Sequence, residues 1–142
     1  VVNTGNPMID TLLSQKYSKA QKKSIPVIFS LCDLSECPIS SRDLLVVLGN
    51  LVDNAIEASE KIDDPCIQIK LQRSDHDFVL SVRNRTTQDV AITNNEIPLS
   101  TKQDAGHGIG LKNVIAILQK YHAEYTLGAK QGWFQFTALR YL

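Results

Sequence analysis

The chain has 142 residues, 43% of them hydrophobic, and fifteen basic side chains balance fifteen acidic ones. That is enough apolar material for one domain with a real core, and the charge balance gives no overall pull toward nucleic acid or an anionic membrane. The three cysteines, Cys32, Cys37 and Cys66, lack the paired C-x-x-C pattern of a zinc site, so free or buried thiols in a reducing compartment are expected rather than disulfides or metal.

In chain order, Pro7 suits the first turn of a helix. Ile9, Leu12, Leu13, Tyr17 and Ala20 follow at helical spacing before a basic end at Lys22 and Lys23. The segment 25–31 is β-rich, with Pro26 near its start as strands permit. Ser40 or Ser41 can cap a second helix that carries Asp43 in its first turn. On that helix Leu44, Leu48, Leu51, Val52 and Ala55 share one side, and Asn50, Asn54 and Glu57 share the other. Amides are poor choices inside a helix, because their short side chains compete for backbone hydrogen bonds. Two stacked amides and a carboxylate make a ladder of oxygen ligands suited to Mg²⁺; the alternative is a solvated polar face.

Segments 66–72 and 78–83 alternate as strands, joined through the polar 73–77 as a hairpin. The polar stretch 85–105 shows no sustained periodicity and is long for an ordered loop, which suits a lid or a disordered insertion. Glycines at 106, 108 and 110 then precede a helix over about 108–121. Glycines directly before a helix let backbone N–H groups approach an anion, and the helix N-terminus adds a favourable dipole, so a phosphate site is inferred; a flexible turn is the alternative. Neither the dinucleotide G-x-G-x-x-G fingerprint nor the P-loop pattern is present. Strands near 124–127 and 133–140 follow, with 128–132 turning between them. The expected fold class is α+β: a two-layer α/β sandwich whose mixed, mostly antiparallel sheet carries its helices on one face. No apolar run approaches the roughly eighteen residues of a membrane span, no signal peptide opens the chain, and no linker suggests a second domain. Residues 1–142 are therefore expected to be a single domain, a C-terminal piece of a longer protein.

Two segments together carry a resemblance. Asn50-Leu-Val-Asp-Asn54-Ala resembles the asparagine box, and Gly106-His-Gly-Ile-Gly-Leu111 the second glycine box, of the ATP-binding catalytic domain of bacterial sensor histidine kinases, in the GHKL superfamily. Thr4-Gly-Asn-Pro-Met-Ile-Asp-Thr-Leu-Leu13, the strand near 25–31 and Ser100-Thr-Lys102 resemble the peptide-pheromone and quorum-sensing branch. The resemblance implies the Bergerat-type fold, with ATP and Mg²⁺ as ligands and the 85–105 stretch as a lid over the nucleotide. It implies Asn54 as Mg²⁺ ligand, Asn50 as support for the metal or a phosphate, and Gly106, His107, Gly108, Ile109, Gly110 and Leu111 around the phosphates. Lys102 adds charge, or is simply solvated. His107 belongs to backbone positioning near phosphate rather than to phosphate acceptance, so the acceptor histidine is expected on an upstream dimerisation domain, from which a response regulator takes the phosphate. The fragment is expected to be cytoplasmic and its parent membrane-anchored.

Two departures qualify the carry-over. The family's D-x-G-x-G aspartate, which accepts from the adenine amino group, is replaced by Asn84 without the glycines. An asparagine carbonyl accepts the same bond with less charge assistance. The glutamate that serves hydrolysing relatives as general base is replaced by Asn50, so rapid ATP hydrolysis is not expected. Glu57, one turn after Asn54, can polarise water or orient Asn54 or the metal. The resemblance thus implies a protein-histidine kinase catalytic domain. A nucleotide-binding module without phosphotransfer and an anti-sigma serine kinase are the alternatives.

Overall fold

The computed structural model describes residues 2–94 and 107–142. Three helices, α1 (Pro7–Lys22), α2 (Ser41–Ser59) and α3 (His107–Lys120), cover one face of a sheet built from β1 (Val27–Ser30), β2 (Ile67–Arg73), β3 (Asp77–Arg85), β4 (Val90–Asn94), β5 (Glu124–Lys130) and β6 (Trp133–Tyr141). The strand order is β1-β2-β3-β6-β5-β4. Only β1 and β2 run parallel, with α2 as their crossover; every other pair is antiparallel. This is the expected two-layer α+β sandwich.

Local chemistry explains the helix starts. The Asn6 side chain accepts from the Ile9 N–H and donates to Ser41 Oγ at 2.8 Å, which ties the beginnings of α1 and α2 together while Pro7 opens α1. Gly5 sits at φ +84, and a Cβ there would lie 2.8 Å from Asp33 Oδ1, so glycine is required. Ser40 caps α2 by accepting from the Asp43 N–H.

Alternation in the strands sorts the two faces. Ile69, Val82, Phe136 and Leu127 are register partners on the inner face, as are Leu71, Leu80, Ala138 and Tyr125. They pack with Leu44, Leu48, Leu51, Val52 and Ile56 of α2 and with Val114 and Leu118 of α3. The outer face is mostly polar and charged, with Val79, Trp133 and Leu139 among its apolar residues.

Two boundaries differ from the sequence expectation. The stretch 85–105, expected without regular structure, contains β4. Among the described residues this is an edge strand paired only with β5, and its register shifts between Val90 and Thr93, so it presents no clean alternation to read. The expected turn at 128–132 is shorter. Strand β5 runs on to Lys130, which pairs with Trp133, and only Gln131 (φ 56) and Gly132 (φ 87) make the turn. Positive φ at both central residues is what a tight two-residue hairpin demands. The proposed lid and Lys102 lie largely outside the described residues.

Candidate functional site

Helices α2 and α3 lie antiparallel, held at two points. At one end Asp43, in the first turn of α2, accepts from Lys120 Nζ (2.8 Å) and the Tyr121 hydroxyl (2.6 Å), while that hydroxyl accepts from the Ser40 N–H. These bonds, with the Lys120 contribution largest, hold the Asp43 carboxyl down at about 2. Further along, Asn50 faces Gly110. A Cβ at Gly110 would stand 3.2 Å from Asn50 Oδ1, so the glycine lets the first turn of α3 close against the asparagine. The asparagine helix and the glycine box therefore meet in space although 60 positions separate these two residues in the chain.

The amide of Asn50 donates to the Val46 carbonyl one turn back (3.0 Å), which leaves its oxygen on the Gly110 side. Asn54 lies one turn further along the same face, toward the N-terminus of α3, and makes no hydrogen bond with a described residue. Between them Asp53 turns away to α1, where Lys16 (2.7 Å) and Lys19 (3.6 Å) pair with it. Glu57 is exposed beyond Asn54.

Asn84 is on the inner face near the end of β3, only 3% exposed, in the register row Ile67, Asn84, Phe134 and Ala129. The Arg85 N–H donates to the Cys66 carbonyl and Arg85 pairs with Asp64 at 3.3 Å, which ties the segment leaving α2 to this same end of the sheet. Burial of an amide needs a reason, since Asn84 spends only one N–H, on the Arg85 carbonyl (3.0 Å), and its Oδ1 accepts from no described residue.

Of the sequence candidates, Asn50 and Gly110 come together, with Asn54 one turn further along α2, and Asn84 lies at the sheet end toward which α2 runs. His107, Gly108 and Ile109 form the first turn of α3, so Gly108 and Gly110 are in the helix rather than before it. The N–H groups of that turn have no acceptor within the helix. Leu111 is part-buried against the core. Lys102 and Gly106 lie outside the described residues. The Asp43 to Tyr121 clasp was not foreseen: Asp43 was visible as a first-turn acid, but nothing local marks a partner 78 positions away.

Comparison with known proteins agrees with this architecture. The GHKL domain family matches residues 39–139, and the chain belongs to that family. Among solved structures, the catalytic domain of histidine kinase ThkA is similar with a TM-score of 0.72 at 20% identity, covering 98% of this chain and 92% of that one. The Acinetobacter baumannii histidine kinase AdeS gives 0.68 at 18% identity over 95% of this chain and 63% of its own. The mycobacterial sensor histidine kinase MprB gives 0.64 at 15% identity over 95% and 92%. At such identities the likeness concerns the fold. No curated protein matches. Among the described residues, no helix is long and apolar enough to cross a membrane.

Proposed function

We propose that this chain binds Mg-ATP and donates the γ-phosphate to a histidine on a separate dimerisation domain, as the catalytic domain of a two-component sensor kinase. The observation that carries this reading is the approach of Gly110 to Asn50, which unites an amide-bearing helix face with the N-terminal turn of α3. The donor set fits the ligand: Asn54 offers an amide oxygen that no described residue engages, and the first turn of α3 offers N–H groups to anionic oxygens. Magnesium, when bound, would supply positive charge that offsets the negative charge developing during transfer, and Asn54 with Asn50 would hold it.

The residues then have distinct roles. Asn54 holds the metal, and Asn50, fixed by its bond to the Val46 carbonyl, presents its oxygen beside it. Gly106, Gly108 and Gly110 keep side chains away from the phosphates, Lys102 adds a point charge, and Asn84 accepts from the adenine amino group. No carboxylate stands at position 50 to take a proton from water, so positioning dominates and the nucleophile comes from the acceptor domain. A response regulator downstream, a cytoplasmic site of action and a membrane-anchored parent belong to the same proposal.

Incubation with Mg-ATP and a purified helical dimerisation domain bearing the acceptor histidine is expected to give acid-labile phosphohistidine. Binding of Mg-ATP without transfer would select the non-catalytic nucleotide module, a reading favoured by Asn84 in the aspartate's place. Transfer to a serine of a separate protein would select the anti-sigma kinase.

A further inference from the structure

The helices cover one face of the sheet, and the opposite face holds a groove of about 720 Å³ that the nucleotide reading does not use. Its floor is built across β3, β6 and β5. Arg83, Gln135 and Gly128 are register partners, and Lys130 pairs with Trp133 in the next row. Gly128 contributes backbone and no side chain to the lining.

Arg83 is held in place from two sides. Gln68 Oε1 accepts from its Nε at 2.7 Å, and its guanidinium lies 4.2 Å from the centre of the Trp133 ring. Such stacking fixes the plane of the fork and leaves its terminal N–H groups for a ligand, the geometry that matches a carboxylate in a bidentate pair. Lys70, whose register partner Ser81 neighbours Arg83 on this face, and Lys130 add charge. Among the described residues no carboxylate pairs with Lys70, Arg83 or Lys130, whereas neighbouring Arg85 is engaged by Asp64.

We infer that this face docks an acidic segment of a partner protein, with a carboxylate of that segment on the Arg83 fork and its backbone along the groove past Trp133. Charge decides among occupants. A second copy in a two-fold arrangement would set this basic face against itself. Tight nucleic-acid binding draws on many phosphate contacts, on the order of 6–10, and this face brings Lys70, Arg83 and Lys130 as cations without a carboxylate partner among the described residues, on a molecule of no net charge.

Trp133 is the single tryptophan of the chain, so its emission reports directly on the groove. Titration with a short peptide of alternating glutamate and glycine is expected to change that emission saturably, with affinity falling as salt rises. Arg83→Gln should weaken the peptide about tenfold or more, the scale of a charge-assisted pair, and Lys130→Gln by less. A matched lysine and glycine peptide should be inert. Both variants lie on the outer face, and circular dichroism checks that they fold. Absence of a saturable change, or one that Arg83→Gln leaves intact, overturns the inference. Tighter binding of a single-stranded oligonucleotide of equal charge, lost in the same variants, overturns it in favour of nucleic acid.

Discussion

Asn54 spends its amide on no described residue, whereas Asn50 uses its N–H on the turn behind it. Under the proposed function, Asn54→Ala should lower Mg-ATP affinity about tenfold or more with little change in stability, since it lies on the outer side of α2. Calorimetric titration with and without Mg²⁺ separates loss of metal from loss of nucleotide. Gly110→Ala tests the meeting of the two helices. The substitution gains up to about 1 kcal/mol of helix propensity, but its methyl meets Asn50 Oδ1 at 3.2 Å, and Asn50 is pinned by the Val46 carbonyl. Thermal stability should therefore change little while Mg-ATP affinity drops; unchanged affinity would separate Gly110 from the phosphates. Ser59 points the other way. Its Oγ is buried with no hydrogen-bond partner among the described residues. Ser59→Ala removes an orphaned hydroxyl and should stabilise the fold by about 1 kcal/mol, measured by urea unfolding.

At the scale of elements, the Asp43 clasp sets the angle between α2 and α3. The folded carboxyl is depressed to about 2, below its ordinary value of 3.8. Its contribution is therefore fully present above about pH 4 and is lost as pH falls toward 2. Asp43→Asn should cost about 1–2 kcal/mol at pH 7, with the gap to the parent protein closing near pH 2 in paired denaturant titrations. Tyr121→Phe, which removes the hydroxyl from both Asp43 and the Ser40 N–H, should show part of the same loss. Helices α1 and α2 and the β2–β3 hairpin were legible in the sequence because each carries local signals, such as Pro7, Ser40 and strict alternation. Strand β4 was not, because an edge strand with a slipped register lacks the alternation that a buried face imposes. The pairing of Asn50 with Gly110 was legible only through the resemblance, since no local pattern encodes proximity across 60 positions. The clasp and the stacked Arg83 were invisible for the same reason: their partners are chosen by the fold.

For the molecule as a whole, stability rests on the core that the described residues form between the sheet and its helices. Phe78 is 2% exposed within it. Phe78→Ala should cost about 3–5 kcal/mol, a large part of the about 5–15 kcal/mol typical of a domain, and guanidinium titration reads this directly. The thiols take little part in this balance. Burial pushes Cys32 and Cys37 up from their ordinary value, and all three cysteines are free. Cys32 and Cys37 should alkylate slowly at neutral pH and faster in alkali.

The parallel pairing of β1 with β2 has one more consequence. A crossover between parallel strands of one sheet is right-handed in about 98% of cases, so the side of the sheet on which α2 lies follows from that pairing alone. Connector length on either flank changes how far this rod slides, not which way its amides look. Extra residues spliced into 61–65 are therefore expected to be accommodated, whereas flipping the outermost ribbon to run the other way would leave Asn50 and Asn54 with no neighbour at Gly110.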